Sequence, residues 1–286
     1  MKVAVLVMGM PRCIHEGAWW FHNKCSPYGD HYDMDFYVHS WDDNSPELRQ
    51  RIQNEWKTNN VQIDNFDDYY EDWWEPIERY NSIDARTKFV EDHVLGWFKH
   101  GPHVGQFLST GLATDLLLSS GIEYDYVIRT RFDTILCPID KNKWMTLFIA
   151  IRAPRLTRPG PHEHAIFVPW LNFKCGLPYL GDLISVSTFK SWKNYAGKLN
   201  GQLKKLLTKD KLKLSCLNGV PDHITHVTWP FLGINSGTHF YPILGSMPVD
   251  FRVSLWRADG YNKTVEESHF EEIKNHYAND MIARQS

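Results

Sequence analysis

The hydrophobic pattern of the chain begins with an unbroken apolar run at residues 3–8, which Gly9 and Pro11 bring to an end. Such runs are typical of strands that are covered on both faces of a sheet, whereas strands with one solvated face alternate apolar and polar residues. The chain is therefore expected to open with a central strand of a parallel sheet.

Further apolar segments alternate with stretches of helical periodicity along the first half of the chain. Segments 34–41, 61–63 and 124–128 predict three more strands, and segments 47–57 and 104–120 predict helices. This alternation predicts an α/β fold, a mostly parallel central sheet flanked by helices on both faces.

The pattern weakens after residue 138. Prolines are frequent in segment 151–178, where only residues 165–168 predict a strand, and segment 188–207 predicts a helix. Because no repeat or low-complexity linker interrupts the chain, we expect residues 1–286 to form a single domain.

Polar residues follow three of the predicted strands, at the end where ligands bind in parallel α/β sheets. They lie in loops 9–12, 39–43 and 129–133 and include Gly9, Arg12, His39, Asp42, Asp43, Arg131 and Asp133. Gly9 permits close approach of the backbone, Arg12 suits a phosphate, and Asp42 or Asp43 suits a ribose or base. The sequence thus predicts that these loops, His39 included, bind a nucleotide.

The last of these loops has two residues of opposite charge. Arg131 and Asp133 together suit a phosphate and a divalent cation, because carboxylate and phosphate oxygens are the usual ligands of Mg²⁺ and Mn²⁺. A literal Asp-x-Asp occurs at Asp33 and Asp35, but it lies at the start of a predicted strand, the wrong end of the sheet for a ligand. Neither the histidines at 162 and 164 nor those at 223 and 226 have the spacing of a zinc site.

Three segments, VAVLVMGMPR, DFYVHSW and YDYVIRTRFDTIL, together resemble a group of GT-A-type glycosyltransferases found in bacterial polysaccharide loci and large viruses. Segment 179–182 followed by Ser187 resembles the downstream aspartate of that group, which precedes a short strand and a helix. Pro221 and Asp222 resemble its later Pro-acidic step. The resemblance spans most of the chain and is close in the first half.

The resemblance implies a GT-A-like fold in which residues 1–137 bind a nucleotide-sugar donor and residues 138–286 form the acceptor side. It implies transfer of a hexosyl or deoxyhexosyl group to a glycan or other hydroxyl acceptor, as in polysaccharide biosynthesis. Asp182 would be the catalytic base that takes the acceptor proton.

Asp133 stands where the family has its Asp-x-Asp metal motif, and position 131 is Arg instead of Asp. A single carboxylate binds a divalent ion weakly. Two roles therefore stay open: Asp133 as a ligand of Mn²⁺ or Mg²⁺, or Arg131 as the group that neutralises the departing diphosphate directly.

Composition and charge narrow the class of partner. The net charge of −3 argues against nucleic acid as a partner, because proteins that bind nucleic acid usually have an excess of basic residues. The five cysteines form no CxxC pair and are expected as free thiols in a reducing compartment. No apolar run is long enough to span a membrane, so we expect a cytoplasmic protein.

Two rival functions follow from the same residues. A sugar nucleotidyltransferase would share the strand-end nucleotide pocket, but its phosphate loop is normally rich in Gly and carries a Lys, whereas segment 8–12 has one Gly and no Lys. A non-catalytic carbohydrate-binding protein would use a surface rich in the 12 Trp of the chain.

Overall fold

A mixed sheet of seven strands lies at the centre of the computed structural model of the protein. The structure describes residues 1–25, 32–42, 44–69, 102–136, 141–152, 165–168, 171–174, 177–180, 184–197, 199–201, 239–242 and 253–255. The strands are β1 (Lys2–Gly9), β2 (Asp33–Trp41), β3 (Val61–Asp64), β4 (Tyr126–Arg131), β5 (Thr134–Leu136), β6 (Ala165–Val168), β7 (Leu171–Lys174), β8 (Leu177–Leu180), β9 (Ser185–Thr188), β10 (His239–Pro242) and β11 (Val253–Leu255).

The central sheet has the order β10-β6-β9-β4-β1-β2-β3. Neighbouring strands are parallel except where β9 pairs antiparallel with β4 and β6. Two small antiparallel pairs, β5 with β11 and β7 with β8, complete the described strands. The mostly parallel sheet expected from the sequence is confirmed.

Helices cover both faces of this sheet. They are α1 (Ile14–Trp20), which continues as a π-helical turn over Phe21–Cys25, α2 (Pro46–Trp56), α3 (Pro102–Ser119), α4 (Lys141–Arg152) and α5 (Phe189–Ala196). Side chains of α1, α2 and α4 pack against one face, and those of α3 and α5 against the other. None of the described helices is long and apolar enough to cross a membrane.

The alternation of side chains along β1 explains its apolar run. Val3, Val5 and Val7 enter the core beneath α1, α2 and α4, whereas Ala4 and Leu6 enter the core beneath α3 and α5. Each is fully buried, because helices cover both faces of the strand. The predicted strands at 34–41, 61–63 and 124–128 and the two predicted helices of the first half are confirmed within a few residues.

Local signals set the ends of several helices. Ser45 caps α2 by accepting a hydrogen bond from the backbone N–H of Leu48, and Thr188 caps α5 by accepting from that of Ser191. After α3 the chain turns at Gly121, whose φ is +68°. The sequence pattern does not predict helix α4. Of the predicted helix 188–207, residues 189–196 form α5, and residues 198 and 202–207 lie outside the described part of the chain.

Helix α1 packs closely against the turn that follows β4. A Cβ atom at Gly17 would collide with the backbone carbonyl oxygen of Phe132, so one of the two backbone segments would have to shift. Gly17 is therefore needed for close approach, since glycine in a helix otherwise costs about 1 kcal/mol relative to alanine.

We predict that Gly17→Ala destabilises the protein by about 2 kcal/mol or more, because the backbone collision outweighs the gain in helix propensity. Urea unfolding followed by far-UV circular dichroism measures the change. Gly201→Ala is the matched control, since the position is exposed and its Cβ meets no atom within 4 Å. Equal stability of the two variants would contradict the close packing of α1.

Candidate functional site

The carboxyl ends of β1, β2 and β4 meet at one edge of the sheet. In the parallel register Gly9 lies opposite Ser40, and Met8 lies opposite Arg131. The chain proceeds from β1 outward to β2 and β3, and then returns to the other side of β1 as β4. Ligands of open α/β sheets bind where the strand order reverses in this way. The edge beyond β1 and β4 is therefore the candidate site.

The loop after β1 has an unusual backbone. Gly9 has a φ of +109°, and Cys13 is left-handed with a φ of +52°. Between them the backbone N–H of Arg12 donates to the carbonyl of Met10 at 2.8 Å. A side chain at Gly9 would be strained by that φ, while among the described residues no atom beyond its chain neighbours lies within 4 Å of the position of its Cβ. The backbone at Gly9 thus borders open space, as close approach of a ligand requires.

The turn after β4 holds a bidentate ion pair. Arg131 donates from Nε to Oδ1 of Asp133 at 2.9 Å and from Nη2 to Oδ2 at 2.8 Å. The side chain of Arg131 is 26% exposed and that of Asp133 only 11%. The two candidate residues are therefore brought together, with both carboxylate oxygens held by the guanidinium.

The described residues do not fit a divalent ion at Asp133. Mn²⁺ and Mg²⁺ need several oxygen ligands, and both oxygens of this carboxylate already accept hydrogen bonds from Arg131. Across the part of the chain that the structure describes, no group of three or more His, Cys, Asp or Glu side chains is arranged to hold a metal. Metal binding by Asp133 stays a prediction of the sequence.

Cys13 lies within electrostatic reach of both loops. Burial, together with the negative charges of Glu16 and Asp133, raises the pKa of its thiol to about 12, although the charge of Arg12 opposes the rise. Met8 pairs with Arg131, and Gly17 of α1 lies against the carbonyl oxygen of Phe132, so the first and last of the predicted loops adjoin. The thiol is protonated at neutral pH and is not a nucleophile there.

A chain of hydrogen bonds through the buried side chains of Ser109 and His39 holds the backbone of Gly9 in place. The backbone N–H of Gly9 donates to Oγ of Ser109 at 3.1 Å, and that hydroxyl lies 2.7 Å from Nδ1 of His39. Nε2 of His39 lies 3.0 Å from Oδ2 of Asp64. We call these four residues the Gly9 relay. On the other side of the strand, Oγ of Ser40 donates to the carbonyl of Gly9.

One tautomer of His39 satisfies every bond of the Gly9 relay. Since Gly9 donates to Ser109, the hydroxyl hydrogen of Ser109 is available to donate to Nδ1, and Nε2–H then donates to Asp64. If the ring were protonated, Nδ1–H would donate to Oγ of Ser109 as the N–H of Gly9 does, and the hydroxyl hydrogen of Ser109 would lose its acceptor. Burial lowers the pKa of His39, against the opposing effect of Asp64, and so favours the neutral ring.

The Gly9 relay changes the role of His39. Its side chain is fully buried and both ring nitrogens bond to protein groups, so the structure supports a positioning role better than the predicted direct contact with a nucleotide. Sequence reasoning missed Asp64 and Ser109. The available signals were a carboxylate at the end of the third predicted strand and a hydroxyl among the apolar positions of helix 104–120.

The carboxylate of Asp64, the last residue of β3, accepts hydrogen bonds from three side chains. Besides the bond from His39, its Oδ2 accepts from Nε2 of Gln62 at 2.7 Å and from the hydroxyl of Tyr69 at 3.2 Å. These bonds, above all that from His39, lower the pKa of Asp64. The carboxylate is therefore ionised at neutral pH and holds the imidazole of His39 in its tautomer.

The other residues that the sequence analysis considered are exposed, lie at the opposite edge of the sheet, or are outside the described part of the chain. Asp42 is exposed, and its backbone N–H donates to the carbonyl of Asp64. Asp43 and Asp182, the histidines at 162, 164, 223 and 226, and residues 221–222 lie outside the described residues. Asp35 accepts from the hydroxyl of Tyr124 at 2.7 Å, at the edge of the sheet opposite the candidate site.

The described tryptophans do not form a carbohydrate-binding surface. Trp20, Trp41, Trp56, Trp144 and Trp192 are buried, and Trp19 is half-buried. A shallow depression of about 580 Å³ lies on the outer face of α2, between residues 46 and 55, and its lining includes none of the candidate residues. The strand-end edge is therefore the better candidate site within the described chain.

No protein-family profile matches the sequence, and no curated protein is significantly similar to it. Solved structures that resemble it include mouse xyloside xylosyltransferase 1 in its apo form, with 8% identity over 85% of this chain and 86% of that one and a TM-score of 0.40. The PaToxG glycosyltransferase has 13% identity over 82% of this chain and 69% of that one and a TM-score of 0.33. At these TM-scores neither likeness establishes a family or a function.

We predict that the acid sensitivity of the protein depends on His39. A histidine whose pKa is lower in the folded state stabilises the fold above its unfolded pKa of 6.5, and this stabilisation is lost as the pH falls below that value. His39→Gln removes the titrating ring. At pH 7.5 the variant should be about 1–3 kcal/mol less stable than the wild type, because the substitution breaks the hydrogen bonds of the Gly9 relay.

Between pH 7.5 and 5.5 the variant should lose less stability than the wild type, as measured by urea unfolding. His22, whose pKa burial lowers to about 4, is present in both proteins and cancels in the comparison. The half-exposed His15 provides the control His15→Gln. An unchanged dependence on pH in His39→Gln would show that His39 does not hold a neutral ring in the folded state.

Proposed function

We propose that this protein is a GT-A-type glycosyltransferase that moves a hexosyl or deoxyhexosyl group from a nucleotide sugar to a hydroxyl of a glycan or similar acceptor. One observation carries the proposal: the Gly9 loop and the Arg131–Asp133 turn adjoin at the point where the strand order reverses. That point is where α/β sheets bind nucleotides. The resemblance of the strand-end motifs to these transferases agrees with it.

The donor diphosphate would lie between the Gly9 loop and the Arg131–Asp133 turn. The space beside Gly9 would admit a phosphate to this loop, and the half-buried Arg12 lies three residues further along it. Arg131 supplies a second guanidinium from the neighbouring strand. Guanidinium groups bind phosphate oxygens through pairs of charged hydrogen bonds, which also fix the orientation of the leaving group.

The acceptor side of the site would come from the segment before β9. Strand β9 begins at Ser185, opposite Arg129, so the chain enters β9 from the same edge at which β4 ends. Asp182 precedes Ser185 by three residues in the sequence. We propose, from the resemblance, that its carboxylate takes the proton of the acceptor hydroxyl as that oxygen attacks the anomeric carbon.

The nucleotide preference of the protein tests this proposal. At least one nucleoside diphosphate should raise the melting temperature in a panel of the UDP, GDP, CDP, ADP and dTDP forms. Arg12→Ala should weaken binding of that diphosphate by about 1.5–3 kcal/mol and leave binding of the free nucleoside nearly unchanged. Equal losses for both ligands would place Arg12 away from the phosphates, and glycan binding with no nucleotide affinity would favour a carbohydrate-binding protein.

Asp182→Asn should separate donor binding from transfer. The amide keeps the shape of the side chain but cannot accept the proton, so we expect donor affinity close to wild type and a transfer rate lower by roughly 100-fold or more. Isothermal titration and radiolabelled sugar transfer measure the two quantities. Loss of donor affinity would assign Asp182 to the donor site, and an unchanged rate would remove it from the mechanism.

A further inference from the structure

We propose that the site binds the donor diphosphate through the Arg131 guanidinium, held in place by Asp133, and needs no divalent cation to do so. The inference rests on the proposed function and concerns how the charge of the leaving group is neutralised. It assigns Arg131 and Asp133 different roles: Arg131 contacts the diphosphate, and Asp133 orients Arg131.

The geometry of the ion pair supports this assignment. Asp133 accepts two parallel hydrogen bonds, from Nε and Nη2, along one edge of the guanidinium plane. Such a pair fixes the plane of the guanidinium, so that the edge formed by Nη1 and Nη2 has a defined direction. The turn also holds the backbone, since the N–H of Arg131 donates to Oγ1 of Thr134 at 3.3 Å.

The exposure of the two partners indicates which of them meets a ligand. The side chain of Arg131 is more than twice as exposed as that of Asp133, at 26% against 11%. A cation at the oxygens of Asp133 would compete with the two hydrogen bonds from Arg131. A phosphate arriving from solvent meets the positive partner of the pair directly.

The chemistry of transfer needs positive charge at this point. When the bond between the anomeric carbon and the diphosphate oxygen breaks, its electron pair stays on the diphosphate. The acceptor oxygen forms the new bond to the anomeric carbon, and its proton goes to the base that we propose to be Asp182. Arg131 donates to the oxygen on which negative charge develops. In transferases with the Asp-x-Asp motif, where a second carboxylate takes the place of Arg131, a metal ion would neutralise that charge.

The Gly9 loop adds the second cation of the site. Met8, near the end of β1, pairs with Arg131, and Gly17 of the following helix lies against the carbonyl oxygen of Phe132. The loop that carries Arg12 therefore lies beside the Arg131–Asp133 pair. A diphosphate between them would be held by Arg131 at the end of β4 and by Arg12 in the loop that follows β1.

The wild-type protein provides the first test. Isothermal titration measures the affinity for the nucleoside diphosphate found in the panel, once with EDTA and once with Mn²⁺. We expect the same Kd in both. Binding only with Mn²⁺ would overturn this inference and leave the proposed function standing. Absence of binding to every diphosphate under both conditions would overturn the proposed function itself.

Two substitutions at Arg131 provide the second test. In EDTA, Arg131→Gln and Arg131→Asp should each weaken binding by roughly 10- to 100-fold, since each removes a charged hydrogen-bonding group. Mn²⁺ should recover affinity in Arg131→Asp, which places a second carboxylate two residues before Asp133, and not in Arg131→Gln. Arg51→Gln on the exposed face of α2 is the matched control and should bind as the wild type does.

Circular dichroism and the urea midpoint establish that each variant is folded. Wild-type affinity of Arg131→Gln in EDTA would overturn the inference, because the diphosphate would then not depend on the guanidinium. An equal gain from Mn²⁺ in Arg131→Gln and Arg131→Asp would also overturn it. The titration of the wild type decides the metal question even where a variant fails to fold.

Discussion

The pairing of β1 with β2 on one side and β4 on the other is the constraint on which the candidate site depends. Residues 3–8 are at most 1% exposed, and their side chains alternate between two separate cores. A slip of one residue would exchange the side chains of the two cores. It would also move Gly9 away from Ser40 and Met8 away from Arg131. The register of β1 against β4 therefore places the Gly9 loop beside the turn after β4.

Pairing positions the ends of the strands, but the buried polar groups set their orientation. Gly9 is bonded through its N–H to Ser109 and through its carbonyl to Ser40, so the residue with the least conformational restriction is held from two elements. A buried donor or acceptor without a partner costs about 1–3 kcal/mol, which makes other orientations of Gly9 unfavourable. His39 and Asp64 extend this arrangement to the end of β3.

The parts of the protein that can be predicted from the sequence are those whose pattern is local. The apolar run predicts strand β1, and the alternation of elements predicts the parallel pairing that brings the ends of β1, β2 and β4 to one edge; both agree with the structure. Ligand binding at that edge stays a prediction. The partners of His39 are not predictable, because Ser109 is 70 residues away and nothing local links the two. Helix α4 escapes prediction for a different reason, since its apolar run at 144–151 lies among the weak signals of the second half.

The Arg131–Asp133 pair owes its rigidity to the residue between its members. In the turn after β4 the side chains of Arg131 and Asp133 meet, while the side chain of Phe132 is buried in the core. Phe132 is 1% exposed and packs edge-on against Trp56 with their ring centroids 6.1 Å apart. Its carbonyl oxygen also lies against Gly17 of α1. The guanidinium therefore takes its direction from a carboxylate whose own backbone is fixed by the core, and a ligand would meet a cation that is already oriented.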